Sequence, residues 1–404
     1  MESIKELFKI GRGPSSSHTI GPEVACKYVL VNYPNIKKVK VVLFGSLALT
    51  GKGHLTDKVI KECFNGIECK ILFNIDEVKK HPNTLEFELF DDQNKLIDKL
   101  VVYSIGGGSI EIEGKPPVVK ENIYPHHSFQ EIRNYCQDNN LSLAEYVYKF
   151  EDKDIKKYLK VILDTMFLAI DSGLTKTGEL PGNLHVVRKA KQLYESKKDK
   201  YSDEMFRKVC SYAYAVSEEN ASAGVVVTSP TCGASGVLPA TLRYYKEKYK
   251  ISNKRLIDAL AVAGIVGVVV KENASISGAL AGCQSEIGTA CSMAGAALAY
   301  LNCQNLEEIE YAAEIGLEHH LGLTCDPING LVQIPCIERN AVAALRAIDS
   351  ANLARILNGT RKISFDTIIK TMYETGKDLQ SKYRETSMGG LAKNYQPKEA
   401  NKDE

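Results

Sequence analysis

The sequence of 404 residues lacks an excess of charge of one sign, a long apolar run and an apolar leader. Its 51 Lys and Arg residues against 50 Asp and Glu residues give no reason to expect a nucleic-acid partner. The longest strongly apolar run, Ala259–Val270, is too short to cross a bilayer and indicates a buried helix, so we expect no membrane partner. Residues 1–13 lack the apolar core of a signal peptide. The sequence therefore predicts a cytoplasmic protein.

Motifs for nucleotides and for pyridoxal phosphate are missing as well. The segment "GSLALTGKGHLTD" (Gly45–Asp57) has Gly-Lys-Gly where a P-loop needs Gly-Lys followed by Ser or Thr. The segment "SIGGG" (Ser104–Gly108) follows a strand pattern but lacks Gly-x-Gly-x-x-Gly and an opening helix. The polar turns considered below offer no lysine followed by a Gly-rich phosphate loop, so we do not expect pyridoxal phosphate.

The chain divides into two regions with different patterns of apolar residues. From about residue 37 to 119, short runs rich in β-formers alternate with turns and predict a small α+β domain. From "HHSFQEIRNYCQDNN" onward, apolar residues recur at helical spacing, and many Ala, Gly and Ser residues allow close helix packing. We therefore predict an α+β N-terminal domain followed by an all-α domain. The boundary is expected between Val119 and Leu141, which gives domains of residues 1–130 and 131–404.

Eleven cysteines in a reducing compartment do not predict a disulfide framework. Cys325 and Cys336 lie within "TCDPINGLVQIPC", and Cys283 adjoins a similar polar turn. Structural zinc needs four ligands, usually in close pairs, and that spacing is missing. Three irregularly spaced thiolates are compatible with a [4Fe–4S] cluster that has one open iron, or with buried free thiols. Cys232 could be a fourth ligand or a substrate contact.

A second candidate site is "GRGPSSSHTIGP" (Gly11–Pro22). Its hydroxyl groups, backbone amides and single imidazole crowd into a short turn. This suits binding of an anion such as a carboxylate, with His18 as an acid or base. The alternative is that one hydroxyl caps the helix that follows. The hydroxyl groups belong to Ser15, Ser16, Ser17 and Thr19.

Three further stretches could contact a substrate. The run "VVVTSPTCGASG" breaks at Thr228, Thr231 and Gly233, which could hold a carboxylate at a broken helix or form a plain helix–helix connection. One of two adjacent histidines before Cys325 could face the site, and His319 is the candidate. In "KYRETSMGGLA", Arg384 can bind a carboxylate through two hydrogen bonds, and the two glycines allow tight folding against a site.

Six segments together resemble the iron–sulfur-dependent L-serine dehydratases (L-serine ammonia-lyases): "GPSSSHTIGP", "GSLALTGKGHLTD", "YSIGGG", "GCQSEIGTACSMA", "EHHLGLTCDPINGLVQIPCIERNA" and "KYRETSMGGLA". The resemblance runs from about Ser3 to Ala392. It implies a single-chain form in which the small domain reaches across to complete the active site of the helical catalytic domain. It also implies a [4Fe–4S] cofactor, with Cys283, Cys325 and Cys336 as its ligands, and a serine-histidine loop at residues 15–18.

The resemblance further implies conversion of L-serine into pyruvate and ammonia by an oxygen-sensitive lyase of serine catabolism and gluconeogenesis. The open iron would act on the substrate hydroxyl while His18 takes the Cα proton. Alternatives are a related cluster-dependent lyase acting on L-cysteine or L-threonine, and a non-catalytic amino-acid sensor. We also expect a homodimer. No cysteine follows Cys336, so occlusion of the open iron by a terminal cysteine, as in at least one family member, is not expected, and relatives commonly have asparagine at the position of Cys232.

Overall fold

The computed structural model of the chain describes residues 1–116, 121–196, 203–357 and 359–397. An N-terminal region built on a five-stranded sheet precedes a mostly helical region, which confirms the predicted fold class. Across these described ranges, no helix is long and apolar enough to cross a membrane. Residues 117–120, where the predicted boundary interval begins, lie outside the described residues.

The sheet of the N-terminal region has the strand order β3-β2-β4-β5-β6, in which β2 and β3 are parallel and the other neighbours antiparallel. Apolar residues alternate along β4, so that Leu85, Phe87 and Leu89 are buried against α1 and α3. The elements are β1 (Ile10–Arg12), α1 (Gly21–Asn32), β2 (Lys38–Phe44), α2 (Ser46–Thr50), α3 (Thr56–Cys63), β3 (Glu68–Asn74), β4 (Thr84–Phe90), β5 (Leu96–Gly106) and β6 (Ser109–Ile112).

The helical region is built around two helices, α10 and α12, that are buried on nearly every side. The apolar run Ala259–Val270 lies within α10, as predicted for a buried helix. The elements are α4 (Phe129–Asp138), α5 (Leu143–Phe150), α6 (Ile155–Thr175), α7 (Ala190–Glu195), α8 (Glu204–Ala221), β7 (Val225–Val227), α9 (Val237–Tyr249), α10 (Asn253–Asn273), α11 (Gly278–Ala281), α12 (Thr289–Leu301), α13 (Leu306–Glu318), α14 (Cys336–Ile356), α15 (Phe365–Asp378) and α16 (Gly390–Asn394).

The first residues of the chain pack into the helical region and not against the sheet. Gly267 of α10 leaves room for Leu7, since a Cβ at this glycine would lie 2.5 Å from the Leu7 side chain. Strand β1 then pairs antiparallel with β7, with Ile10 opposite Val227. This pairing fixes the loop that follows β1, so the buried residues 13–20 pack against the helical region.

Candidate active site

Three cysteines from separate segments line one pocket. Cys283 follows α11, Cys325 lies in the turn between α13 and α14, and Cys336 begins α14. All three are buried free thiols. The pocket is also lined by Pro14, Ser15, His54, Gly233, Glu286, Ile287, Pro327, Val332 and Glu385. Residues 14, 15 and 54 belong to the N-terminal region, so both regions of the chain form this pocket.

Glu286 connects two of the thiols. It lies in a π-helical turn, Gln284–Gly288, of a kind that is frequent at functional sites. Its Oε2 lies 3.9 Å from the Sγ of Cys283 and 4.0 Å from the Sγ of Cys325. Its Oε1 accepts a hydrogen bond of 2.7 Å from the hydroxyl of Thr231. Burial raises the pKa of Glu286, so a nearby cation would stabilise the ionised form of this carboxyl group.

The protein environment opposes ionisation of two of the thiols, those of Cys325 and Cys336. A hydrogen bond with Cys283, together with burial, raises the pKa of Cys325, and burial raises the pKa of Cys336. A bound metal reverses this preference, because thiolates are the form that binds. The ligand atoms of Cys283, Glu286 and Cys325 lie within 4.8 Å of one another, a spacing that could hold a metal ion. Cys336 adds a third thiol to the same pocket.

A buried ion pair lies beside the thiols. Arg339, in the first turn of α14, donates a hydrogen bond of 2.7 Å to the carbonyl of Thr324, and its guanidinium lies 3.5 Å from the carboxylate of Asp326. Burial alone would lower the pKa of Arg339, but the thiols of Cys283, Cys336 and Cys325 raise it. The site therefore combines soft ligands with one positive charge.

The C-terminal loop closes over the Cys325 turn. The amide of Cys325 donates to the carbonyl of Tyr383, and the amide of Glu385 donates to the carbonyl of Cys325, each at 2.8 Å. These two bonds place the Glu385 side chain in the pocket. Gly390 has a φ of +55°, and a Cβ there would clash with the Asp326 carboxylate, so glycine permits the predicted tight folding.

His18 is completely buried, and hydroxyl groups contact both of its ring nitrogens. Nδ1 lies 2.8 Å from the Oγ of Ser17, and Nε2 lies 3.1 Å from the Oγ of Ser46 and 3.0 Å from the Oγ1 of Thr50. Ser46 and Thr50 donate their own protons to the carbonyls of Glu385 and Ser46. This network assigns the proton to Nε2, while Nδ1 accepts from Ser17. Burial and the neighbouring His54 lower the pKa of His18, so the ring is neutral.

His54 stacks on His18 with a distance of 4.3 Å between ring centroids, and it lines the pocket directly. Its Nδ1 lies 2.9 Å from the carbonyl of Thr50, which can only accept, so Nδ1 carries the proton. Its Nε2 keeps a free lone pair and lies 3.6 Å from the Oε1 of Glu385. Burial lowers the pKa of His54 to about 4, so this ring is neutral at pH 7.

The two regions approach each other closely at Gly53. A Cβ at Gly53 would lie 2.6 Å from the backbone of Gly330, in the segment between Cys325 and Cys336. Gly53 directly precedes His54 in the chain. The close approach therefore places the imidazole beside the segment that carries two of the thiols.

The structure brings several predicted site residues together. Ser15 and Gly233 line the pocket, and Thr231 reaches it through Glu286. Ser17 and His18 lie behind His54, and Ser16 is buried in the same π-helical turn. The side chains of the remaining predicted residues lie outside the pocket.

Thr19 and Thr228 hold backbone segments in place. The Thr19 hydroxyl donates to the carbonyls of Arg12 and Ser15, and the Thr228 hydroxyl donates to the carbonyl of Leu7 at 2.6 Å. These contacts fix the chain before and after β1, so the two threonines support the pocket from outside it.

His319, Arg384 and Cys232 do not reach the pocket with their side chains. The half-exposed His319 lies 3.0 Å from the carbonyl of Ile315 through its Nδ1. The guanidinium of Arg384 donates to the carbonyl of Leu280 at 3.2 Å, and only its backbone lies beside Cys325. Cys232 is buried among the apolar residues of the helical core.

The ionisable residues His54, Glu286, Arg339 and Glu385 were not singled out from the sequence. Each lies within a segment that carried the family resemblance, and Glu385 directly follows Arg384. A search for ionisable residues within those segments would have found them. Their convergence depends on contacts between segments far apart in sequence.

Residues 76–392 match the family described as serine dehydratase alpha chain, and residues 3–72 match the serine dehydratase beta chain. The chain belongs to the serine dehydratase family. It carries the alpha and beta parts fused in one polypeptide, as the resemblance implied. The two matches meet between residues 72 and 76, whereas the predicted division at residue 130 stays a prediction.

Curated relatives are similar over nearly their full length. The chain is 37% identical to the L-serine dehydratase of Haemophilus influenzae, with 97% of this chain and 99% of the relative covered. It is 38% identical to L-serine dehydratase 1 of Escherichia coli, with coverage of 97% and 99%. It is also 38% identical to an L-serine dehydratase of Helicobacter pylori, with coverage of 97% and 98%.

Proposed function

We propose that the chain is an L-serine dehydratase that converts L-serine into pyruvate and ammonia. The names of its relatives support this assignment. The observation that carries the chemistry is the convergence of three buried thiols and a neutral imidazole with a free lone pair on one pocket. A lyase that removes water from an amino acid needs help for a poor leaving group and for a weakly acidic proton, and these two kinds of group supply both.

We infer that Cys283, Cys325 and Cys336 hold a [4Fe–4S] cluster. The donor set fits such a group, because the three thiols are buried in one pocket and ionisation of Cys325 and Cys336 needs a cation close by. Three cysteines leave one iron without a protein ligand. When bound, the cluster supplies a Lewis acid for the substrate hydroxyl.

We infer that His54 accepts the Cα proton of the substrate. The sequence favoured His18 for this role, but both nitrogens of His18 are engaged by hydroxyl groups inside the protein. His54 faces the pocket, and its Nε2 is free to accept a proton. In this proposal His18 positions the His54 ring through their stacking contact.

The remaining polar groups suit the ends of an amino acid. The Ser15 hydroxyl and the backbone beside Gly233 face the pocket and can bind a carboxylate. The carboxyl groups of Glu286 and Glu385 face it as well and can pair with an ammonium group. Loss of the Cα proton and of the hydroxyl group gives aminoacrylate, which tautomerises and hydrolyses to pyruvate and ammonia without further help.

A substrate panel tests the proposal. Protein purified and assayed without oxygen should release ammonia and pyruvate from L-serine with a higher kcat/KM than it shows for L-threonine or L-cysteine. Preferred release of sulfide from L-cysteine would favour the related lyase instead. Binding of L-serine without turnover by iron-loaded protein would favour an amino-acid sensor. Oxygen sensitivity, the cytoplasmic location and the homodimer are predictions that accompany the proposal.

A further inference from the structure

Arg339 connects the two segments that carry Cys325 and Cys336. It lies three positions after Cys336, in the first turn of α14. Its guanidinium donates to the carbonyl of Thr324 at 2.7 Å and lies 3.5 Å from the Oδ1 of Asp326. These two residues directly precede and follow Cys325 in the chain. One side chain therefore holds the turn of one thiol against the helix that begins with another.

The partner of this guanidinium is itself fixed. Asp326 is 2% exposed, and its Oδ1 lies 3.1 Å from the hydroxyl of Thr324. Its Oδ2 accepts a hydrogen bond of 2.6 Å from the amide of Leu391. The ion pair thus extends to the C-terminal loop that places Glu385 in the pocket. A change at Arg339 is expected to loosen all three segments.

Arg339 also places a positive charge beside the proposed metal centre. Three thiolates that hold a cluster would place negative charge in a pocket shielded from water. The Arg339 side chain is 16% exposed, so its positive charge acts there with little screening. Arginine keeps this charge at any pH at which the protein is folded.

We propose that Arg339 is a positioning residue for the metal centre, which fixes Cys325 relative to Cys336 and offsets the negative charge of the bound cluster. This inference rests on the proposed function, since it presupposes the cluster. It predicts two separable effects. Loss of the hydrogen bond to Thr324 weakens retention of the metal, and loss of the charge makes the cluster harder to reduce.

The test compares Arg339→Gln, Arg339→Lys and the control Arg346→Gln. Arg346 is exposed on the same helix. Each full-length protein is reconstituted without oxygen from ferrous iron and sulfide. Bound iron and sulfide, the rate of iron release to a chelator, and the midpoint reduction potential are then measured. Arg339→Gln should release iron on the order of 10- to 100-fold faster, as is usual when a partner of the metal ligands is lost.

The potential distinguishes a charge effect from a general loss of packing. Arg339→Gln should have a lower midpoint potential, Arg339→Lys should release iron faster at nearly the wild-type potential, and Arg346→Gln should match the wild type. Wild-type values for Arg339→Gln in both measurements would overturn the inference while leaving the proposed function intact. Failure of the wild-type protein to take up iron would overturn both.

A folding defect in the glutamine variant is detected by circular dichroism. If that variant is misfolded, the Arg339→Lys protein tests the inference, because lysine keeps the charge and most of the side-chain volume. Faster iron release at nearly the wild-type potential supports the positioning role. Wild-type iron release overturns it.

Discussion

The histidine side and the cysteine side of the pocket differ in how far the protein itself stabilises their functional groups. On the histidine side, His18 and His54 are neutral and stacked, with both nitrogens of His18 and the Nδ1 of His54 held by hydroxyl or carbonyl groups of the protein itself. On the cysteine side, the thiols of Cys325 and Cys336 are buried where ionisation is unfavourable without a cation. The histidine side is therefore preorganised without a metal, whereas ionisation of these two thiols needs a cation nearby.

This difference assigns separate tasks to the two sides. A preorganised neutral imidazole accepts a proton without reorganising its surroundings. Buried thiols gain a function once they bind a metal. Changes on the cysteine side should therefore remove the metal, whereas changes on the histidine side should slow the reaction and leave the metal in place.

The largest effect is expected on the cysteine side. Cys325→Ser should lose both bound iron and pyruvate formation, because a serine hydroxyl is a poor ligand for this metal. The control is Cys303→Ser, since Cys303 is an exposed thiol. Iron and sulfide content should be measured together with the rate of pyruvate formation. A Cys325→Ser protein with full iron and full activity would show that this thiol is not a ligand.

The next effect is expected on the histidine side. His54→Asn should lower kcat by about 10²- to 10⁴-fold, the usual loss when a general base is removed, with iron and sulfide unchanged. His185→Asn is the control, because His185 is exposed. His18→Asn should cost less than His54→Asn if His18 only positions the ring. The opposite order would assign the base to His18.

Acid should destabilise the histidine side even in metal-free protein. The pKa of His54 falls from an ordinary 6.5 to about 4 in the folded state, so the unfolded state binds the proton more readily. Stability is therefore lost as pH falls from about 6.5 to about 4, by on the order of 3 kcal/mol for this group. Urea unfolding of metal-free protein at a series of pH values measures this loss. A His54→Asn protein with the same acid dependence would contradict the assignment.

The smallest effect is expected at a hydrogen bond that supports the cysteine side. Thr231→Val keeps the side-chain volume but removes the hydrogen bond to Glu286, which costs about 1–3 kcal/mol for a buried acceptor. This should lower kcat/KM by about 10-fold, since 1.4 kcal/mol is a factor of ten. Thr241→Val is a matched control, because that buried hydroxyl bonds within α9. Equal effects of the two substitutions would indicate a general loss of packing.

The sequence predicted the order of the regions because the periodicity of apolar residues changes from strands to helices. It also predicted the loop with His18 and the three cysteines, since these lie in short distinctive segments. The side-chain placement of Arg384 was not predictable, because a guanidinium can extend in several directions and here it bonds to the carbonyl of Leu280. The role of His54 depends on the approach of Gly53 to Gly330, a contact that no local pattern specifies.

The claim that pyruvate formation depends on a metal held by the cysteine side has a direct test. The protein is prepared without oxygen, its iron and sulfide are determined, and pyruvate formation from L-serine is followed before and after removal of the metal by a chelator. We expect a brown protein whose bound iron, bound sulfide and pyruvate formation are lost together. A colourless protein with full activity in the presence of chelator would contradict the account.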